Sequence, residues 1–132
     1  MAASAVHERI RKLEERGIVR GYTAVLDPCA LGHNLLAFVF VRADEGIGSP
    51  ERARRLAAAP EVQEVHHVAG EDCFLVKVRV RDPESLSRLL RERIGGIDTV
   101  RSTRTTIVLE TEKESALLRL DPATTGTEAV RE

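Results

Sequence analysis

"VAGEDCFLVKVRVRDPESLSRLLRERIGG", residues 68–96, carries two periodicities back to back. In its first half Phe74, Val76, Val78 and Val80 fall on one side and Lys77 and Arg79 on the other, the period of two that marks a strand with one buried face. At Asp82 the pattern changes. Asp82 suits an N-cap, Pro83 the first helical position with its preset φ, and Glu84 the first turn, where a negative charge complements the helix dipole. Leu86, Leu89, Leu90 and Ile94 then recur at helical spacing, and Gly95 and Gly96 stop the helix. Upstream, "VQEVHHV" (62–68) predicts a second strand, joined to 73–81 through the turn "AGED" as a hairpin.

The same unit recurs on the N-terminal side. "LLAFVFVRA" (35–43) is rich in β-branched and aromatic residues and predicts a well-buried strand. "GIGSP" interrupts it, Ser49 and Pro50 predict an N-cap and N1, a helix follows over Arg52, Ala53, Leu56 and Ala57, and Pro60 ends it. "TVRSTRTTIVLE" (99–110) is the last strand. The order βαββαβ with short connections predicts an α+β class fold of the ferredoxin-like kind, a four-stranded antiparallel sheet with two helices on one face. Alternate residues of 35–41 would leave the other sheet face partly apolar, and a second copy of the chain is the simplest cover for it.

Ahead of this domain, "SAVHERIRKLEERGIV" (4–19) places Val6, Ile10 and Leu13 on one helical face, with Glu8, Arg9, Arg11, Lys12 and Glu15 on the others. Ser4 is read as its N-cap and Gly17 as the left-handed residue past its end, with Ile18 closing onto Leu13. "IVRGYTAVLDP" then reads as an extended linker. The expected organisation is a helical remnant over 1–17, a linker strand over 18–33, the αβ domain over 34–120, and a polar, disordered tail over 121–132.

Composition narrows the functions available. The chain has 132 residues, 42% hydrophobic and 31% charged, enough for one ordinary domain with a real core. Three Phe, one Tyr and no Trp argue against an aromatic platform for single-stranded nucleic acid. Five basic groups against three acidic ones in residues 2–20 leave that segment positive within a chain of net charge −1. Such asymmetry suits contact between the first helix and a polyanion, although a solvated helix face gives the same count. No signal peptide or membrane-spanning apolar run is visible, and a cytoplasmic location is expected. Cys29 and Cys73 are read as free thiols. His66 and His67 are neighbours on a strand and face opposite ways, and His7 and His33 are distant in sequence, so no metal site is expected. No nucleophile–base spacing, phosphate loop or paired carboxylates suggests a catalytic residue.

Two quoted regions carry a family resemblance. "SAVHERIRKLEERGIVRGYTAVLDPCALG" resembles the recognition helix and linker of Lrp/AsnC (feast/famine) transcriptional regulators, and "VAGEDCFLVKVRV" with "VRSTRTTIVLE" resembles their effector-domain hairpin and final strand. The resemblance runs from residue 3 to about 120. It implies a DNA-binding helix-turn-helix regulator, homodimeric and able to associate further up to octamers, that responds to an amino acid or related small molecule without any cofactor. On that basis Ser4, His7, Glu8, Arg9, Arg11 and Lys12 are the DNA-facing candidates, with Arg9 alternatively bridging to Glu14 or to a linker residue. Gly70, Glu71, Asp72, Thr103, Thr105 and Thr106 are the effector-binding ones. Turn amides near Gly70 would take a carboxylate, Asp72 an ammonium, and the threonines the remaining polar atoms. Thr103 and Thr105 share a strand face and Thr106 points away, so at least one threonine is a bystander.

Beside the regulator stand two other readings, a stand-alone sensor or co-regulator and a small enzyme of the same fold; the retained helix and linker speak against the enzyme. The resemblance begins at the recognition helix, without the two helices that precede it in the family. A recognition helix is held in the major groove by packing on its neighbour, and about 13 residues alone are marginal in water. The 132-residue chain is therefore expected to bind DNA poorly. Specific binding in an equilibrium titration at physiological salt with a Kd near or below roughly 10⁻⁸ M would overturn this.

Overall fold

The computed structural model describes residues 2–44 and 50–120. It divides into two compact units, one holding residues up to Leu26 together with the segment from Lys113 onward, the other Asp27–Glu112.

In the first unit, α1 spans Ala3–Glu15. The helix starts one residue earlier than Ser4 would set it: Ala2 is the N-cap and has no side chain able to cap, while Ser4 lies within the helix. The C-terminal end follows the expectation. Gly17 has φ +76°, the Ile18 amide donates to the Leu13 carbonyl at 2.9 Å and the Gly17 amide to that of Glu14 at 2.9 Å, the paired bonds of a Schellman stop. No strand forms over 18–33. Residues 20–27 have no regular structure, because a strand needs a ladder partner and none of the described residues pairs with this segment; a 3₁₀ turn at Cys29–Leu31 follows.

The second unit is the sandwich. Its elements are β1 (Leu35–Ala43), α2 (Pro50–Ala57), β2 (Val62–His67), β3 (Phe74–Val80), α3 (Pro83–Leu89) and β4 (Val100–Ile107). The four strands lie in the order β2-β3-β1-β4, all neighbours antiparallel, which is the ferredoxin-like arrangement. The last strand is shorter than 99–110, and residues 108–120 carry no regular element. The Ser49 cap and the 121–132 tail lie outside the described residues.

Alternation sets the packing. Ala37, Val39 and Val41 of β1 and Phe74, Val76, Val78 and Val80 of β3 point to the helix side and are buried there with Leu56, Leu86, Leu89, Ile94 and Ile97. The two edge strands break alternation once each. In β2, Val62 pairs with Val78 and Glu64 with Lys77, so Gln63 is an extra residue; in β4, Val100 pairs with Ala43 and Ser102 with Arg42, so Arg101 is extra. These bulges let Val62 and Val65, two positions of unlike parity, both pack on the core, and allow Val100 to do so while Arg101 pairs with Asp44. Among the described residues Arg52 is the exception to an apolar interior: it is 4% exposed, and its Nε donates to Thr99 Oγ1 at 2.9 Å.

Asp82 behaves as its sequence position suggests, extended at φ −159° with its carboxylate accepting the Ser85 amide at 2.8 Å. The end of α3 does not. Leu90–Ile94 form a π turn, with the Gly95 amide donating to the Leu90 carbonyl at 2.7 Å. Glycine is required by space here: a Cβ on Gly95 would lie 2.9 Å from the Leu90 carbonyl oxygen and 3.1 Å from that of Arg91.

Ile94, 1% exposed, is expected to cost about 2–5 kcal/mol of stability when changed to Ala, measured by urea unfolding. The Ser85 backbone bond holds the Asp82 carboxyl below its ordinary pKa, so its contribution is present above the unfolded value and lost as pH falls through the folded one. Asp82→Ala should therefore lower the melting temperature at pH 7, and the gap to the parent should narrow as pH falls past the ordinary aspartate range toward the lowered folded-state value.

Candidate effector site

The turn between β2 and β3 is built by backbone bonds on either side of it. The Val68 amide donates to the Cys73 carbonyl at 3.0 Å, and the Cys73 amide donates to that of Val41 at 2.9 Å, fastening the turn to the central strand. Gly70 takes φ +139°, a conformation that side chains of L-residues rarely adopt. Glu71 is exposed and Asp72 half-buried.

Asp72 is bonded to a neighbouring strand. Its Oδ2 accepts from Arg104 Nη2 at 3.0 Å, and the Arg104 guanidinium carbon stands 4.4 Å from the centre of the Phe40 ring. Arg104 lies directly across from Phe40 in the β1–β4 register, so the cation is laid over the ring by strand geometry. Sequence reading passed over Arg104 because it sits among threonines on an edge strand, where no apolar marker identifies its face. The only hint was its parity with Phe40 once the register is known.

The threonines divide by the same register. Thr106 is opposite Phe38, on the face of Arg104, whereas Thr103 and Thr105 are opposite Val41 and Val39, on the helix side. Thr105 lines a shallow depression there with Leu86, Leu90 and Ile107. Asp72, through Arg104, and Thr106 thus belong to the open face, Thr103 and Thr105 to the other, and Gly70 and Glu71 lie in the turn itself. A separate cleft of about 630 Å³ lies at the far end of β3, lined by Arg79, Arg81, Asp82, Arg88, Glu92 and Arg93, and includes none of the candidate effector residues.

On α1, Arg11 is held by Glu8 at 2.5 Å and by Glu15 at 2.6 Å, which draws the Glu8 carboxyl below and the Arg11 guanidinium above their ordinary pKa values. Glu14 accepts from the Tyr22 hydroxyl at 2.7 Å. The Tyr22 pKa is raised by that bond. Val6 and Ile10 are exposed on the apolar face and Leu13 is half-buried.

His66 Nε2 lies 2.8 Å from Glu64, while the His67 ring packs 5.3 Å from that of Phe74. Bonding to His66 and then to Lys77 lowers the Glu64 pKa. Among the described residues there is no group of three or more His, Cys, Asp or Glu placed to hold a metal, and no helix is long and apolar enough to cross a membrane. Cys29 is exposed and Cys73 half-buried, both as thiols.

The chain is a ferredoxin-like sandwich preceded by an amphipathic helix, with a hairpin turn carrying two carboxylates, a layout that several functional classes share. The comparison with known families makes this particular: residues 36–118 match the Lrp/AsnC ligand binding domain, and the chain belongs to the Lrp/AsnC family of transcriptional regulators. It is 44% identical over 118 residues to the HTH-type transcriptional regulator FL11 of Pyrococcus horikoshii, covering 89% of this chain and 77% of that protein. The Leucine-responsive regulatory protein of Escherichia coli is 38% identical over 112 residues, covering 82% and 67%. Among solved structures, a Neisseria meningitidis transcriptional regulator in complex with L-Met superposes with a TM-score of 0.86 at 26% identity, covering 94% of this chain and 81% of that one. A feast or famine regulatory protein from Mycobacterium tuberculosis complexed with L-methionine gives 0.79 at 36% identity, covering 89% and 79%. These relatives are regulators of transcription rather than enzymes.

Nothing lies within 4 Å of where a Gly70 Cβ would stand, so Gly70→Ala tests conformation without a clash. It should cost roughly 1–3 kcal/mol in denaturant unfolding, through backbone strain alone.

Proposed function

We propose that this chain senses an α-amino acid at the turn 69–72 and couples that binding to DNA contact through α1. The observation that carries the reading is the turn's own chemistry: a glycine-opened backbone beside a half-buried carboxylate that has an arginine for company, on a domain whose relatives were solved with L-methionine. Asp72 receives the ammonium, and the turn amides near Gly70 the carboxylate. Of the hydroxyls, Thr106 is on the side of this pair; Thr103 and Thr105 could serve only from the opposite face.

For DNA, α1 offers His7, Arg9 and Lys12, with Ser4 near its start. Arg11 and Glu8 satisfy each other, and a phosphate would have to compete with Glu8 and Glu15 for Arg11. The exposed stripe of Val6 and Ile10 needs a cover before the helix can be held in a groove, and a polypeptide in which it stays open binds DNA weakly. A second copy of the chain covers the open sheet face, where Phe38, Phe40 and Leu75 are half-buried, and such dimers can associate further, up to octamers. The reading is that of a cytoplasmic, non-enzymatic regulator.

A thermal-shift screen of the 132-residue chain against the twenty amino acids tests it. A ligand at a hundredfold excess over its Kd stabilises the folded state by about 2.7 kcal/mol. One or a few amino acids should raise the melting temperature, and Asp72→Ala should abolish the rise. No rise with any amino acid would overturn the amino-acid reading.

A further inference from the structure

The amides of the turn are neutral, and a carboxylate placed on them needs a positive counter-charge. Arg104 is the cation the structure puts there. Its stem is fixed by β4 over the Phe40 ring, and its head reaches Asp72 at 3.0 Å from a side chain that is 68% exposed, against 24% for Asp72. One charge thus comes from a strand and the other from a turn, and each is satisfied by the other when no ligand is present. Ser102 and Thr106, on the same face of β4 to either side of Arg104, carry no charge. Lys77, also on this face, is engaged by Glu64 at 3.4 Å.

The geometry points to Arg104 as a specificity-determining residue that selects zwitterions: it receives the effector's carboxylate while Asp72 receives the ammonium. This inference rests on the amino-acid reading of the turn. An α-amino acid carries adjacent opposite charges, so inserting one between Asp72 and Arg104 exchanges one ion pair for two and leaves no charge without a partner. The planar guanidinium matches a carboxylate with two parallel N–H bonds, and Phe40 keeps the cation in place once Asp72 is drawn away. A bare carboxylic acid would set a second negative charge beside Asp72. A bare amine would displace Arg104 from Asp72 and offer it nothing in return. Both are rejected by the same pair.

The test is calorimetric titration of the full chain with L-methionine, L-methioninamide and 4-(methylsulfanyl)butanoate. The parent should bind L-methionine at least about tenfold more tightly than either analogue, a difference of about 1.4 kcal/mol. Arg104→Gln should weaken L-methionine about tenfold and leave L-methioninamide within about twofold, erasing the preference for the carboxylate, while Arg104→Lys should keep part of it. An unchanged melting temperature shows that the variants fold. If Arg104→Gln retains the full preference while Asp72→Asn loses binding, Arg104 is not the carboxylate's partner and the turn stands. If the parent binds no L-methionine the zwitterion inference falls, and if binding survives both substitutions the turn reading falls as well.

Discussion

The pairing of β1 with β3 is the constraint on which the rest depends. Val39 lies opposite Val76, and Ala37 opposite Val78, so the inward rows of the two central strands form one continuous apolar patch. A slip of one residue would turn one of the two rows to the other side, bringing either Phe38 and Phe40 or Lys77 and Arg79 against the helices. The register is therefore held by burial rather than by backbone bonds alone. The candidate site inherits it: the turn at 69–72 is fastened to Val41, and Arg104 meets Phe40 because β4 takes its register from the same strand.

What was legible in the sequence follows from that constraint. Strict alternation in 74–80 and the cap-proline-acid sequence at 82–84 are local signals, each with one physical explanation, and both elements form where expected. The failures occur where local signals were incomplete. Ser4 is a good capping residue, but Ala2 already occupies the extended conformation before the helix. The linker 18–33 is extended in composition, yet strand structure is a property of two segments, and none of the described residues supplies the second. The π turn at the end of α3 could not be read from a leucine stripe, although the adjacent Gly95 and Gly96 marked the place.

The candidate site was legible only in part, for a related reason. Gly70 and Asp72 announce a turn by composition, but what Asp72 bonds is decided by a residue on another strand. The parity argument already separated Thr106 from Thr103 and Thr105. The structure decides which of the two faces belongs with the turn, and it is the one bearing a single threonine and Arg104. A side chain whose role depends on a distant register cannot be identified from its neighbours in sequence.

Each edge of the sheet carries one bulge, at Gln63 and at Arg101. They were described above as devices that let residues of unlike parity share the core. They also disturb the two exposed rows of backbone donors and acceptors, where a strand of another molecule would otherwise add in register. Open-ended growth from edge to edge is thereby discouraged, and the flat face becomes the surface through which copies can meet. Face-to-face contact closes on itself, whereas edge addition continues indefinitely. The face-to-face dimer proposed above depends on that distinction, and two extra residues contribute to it.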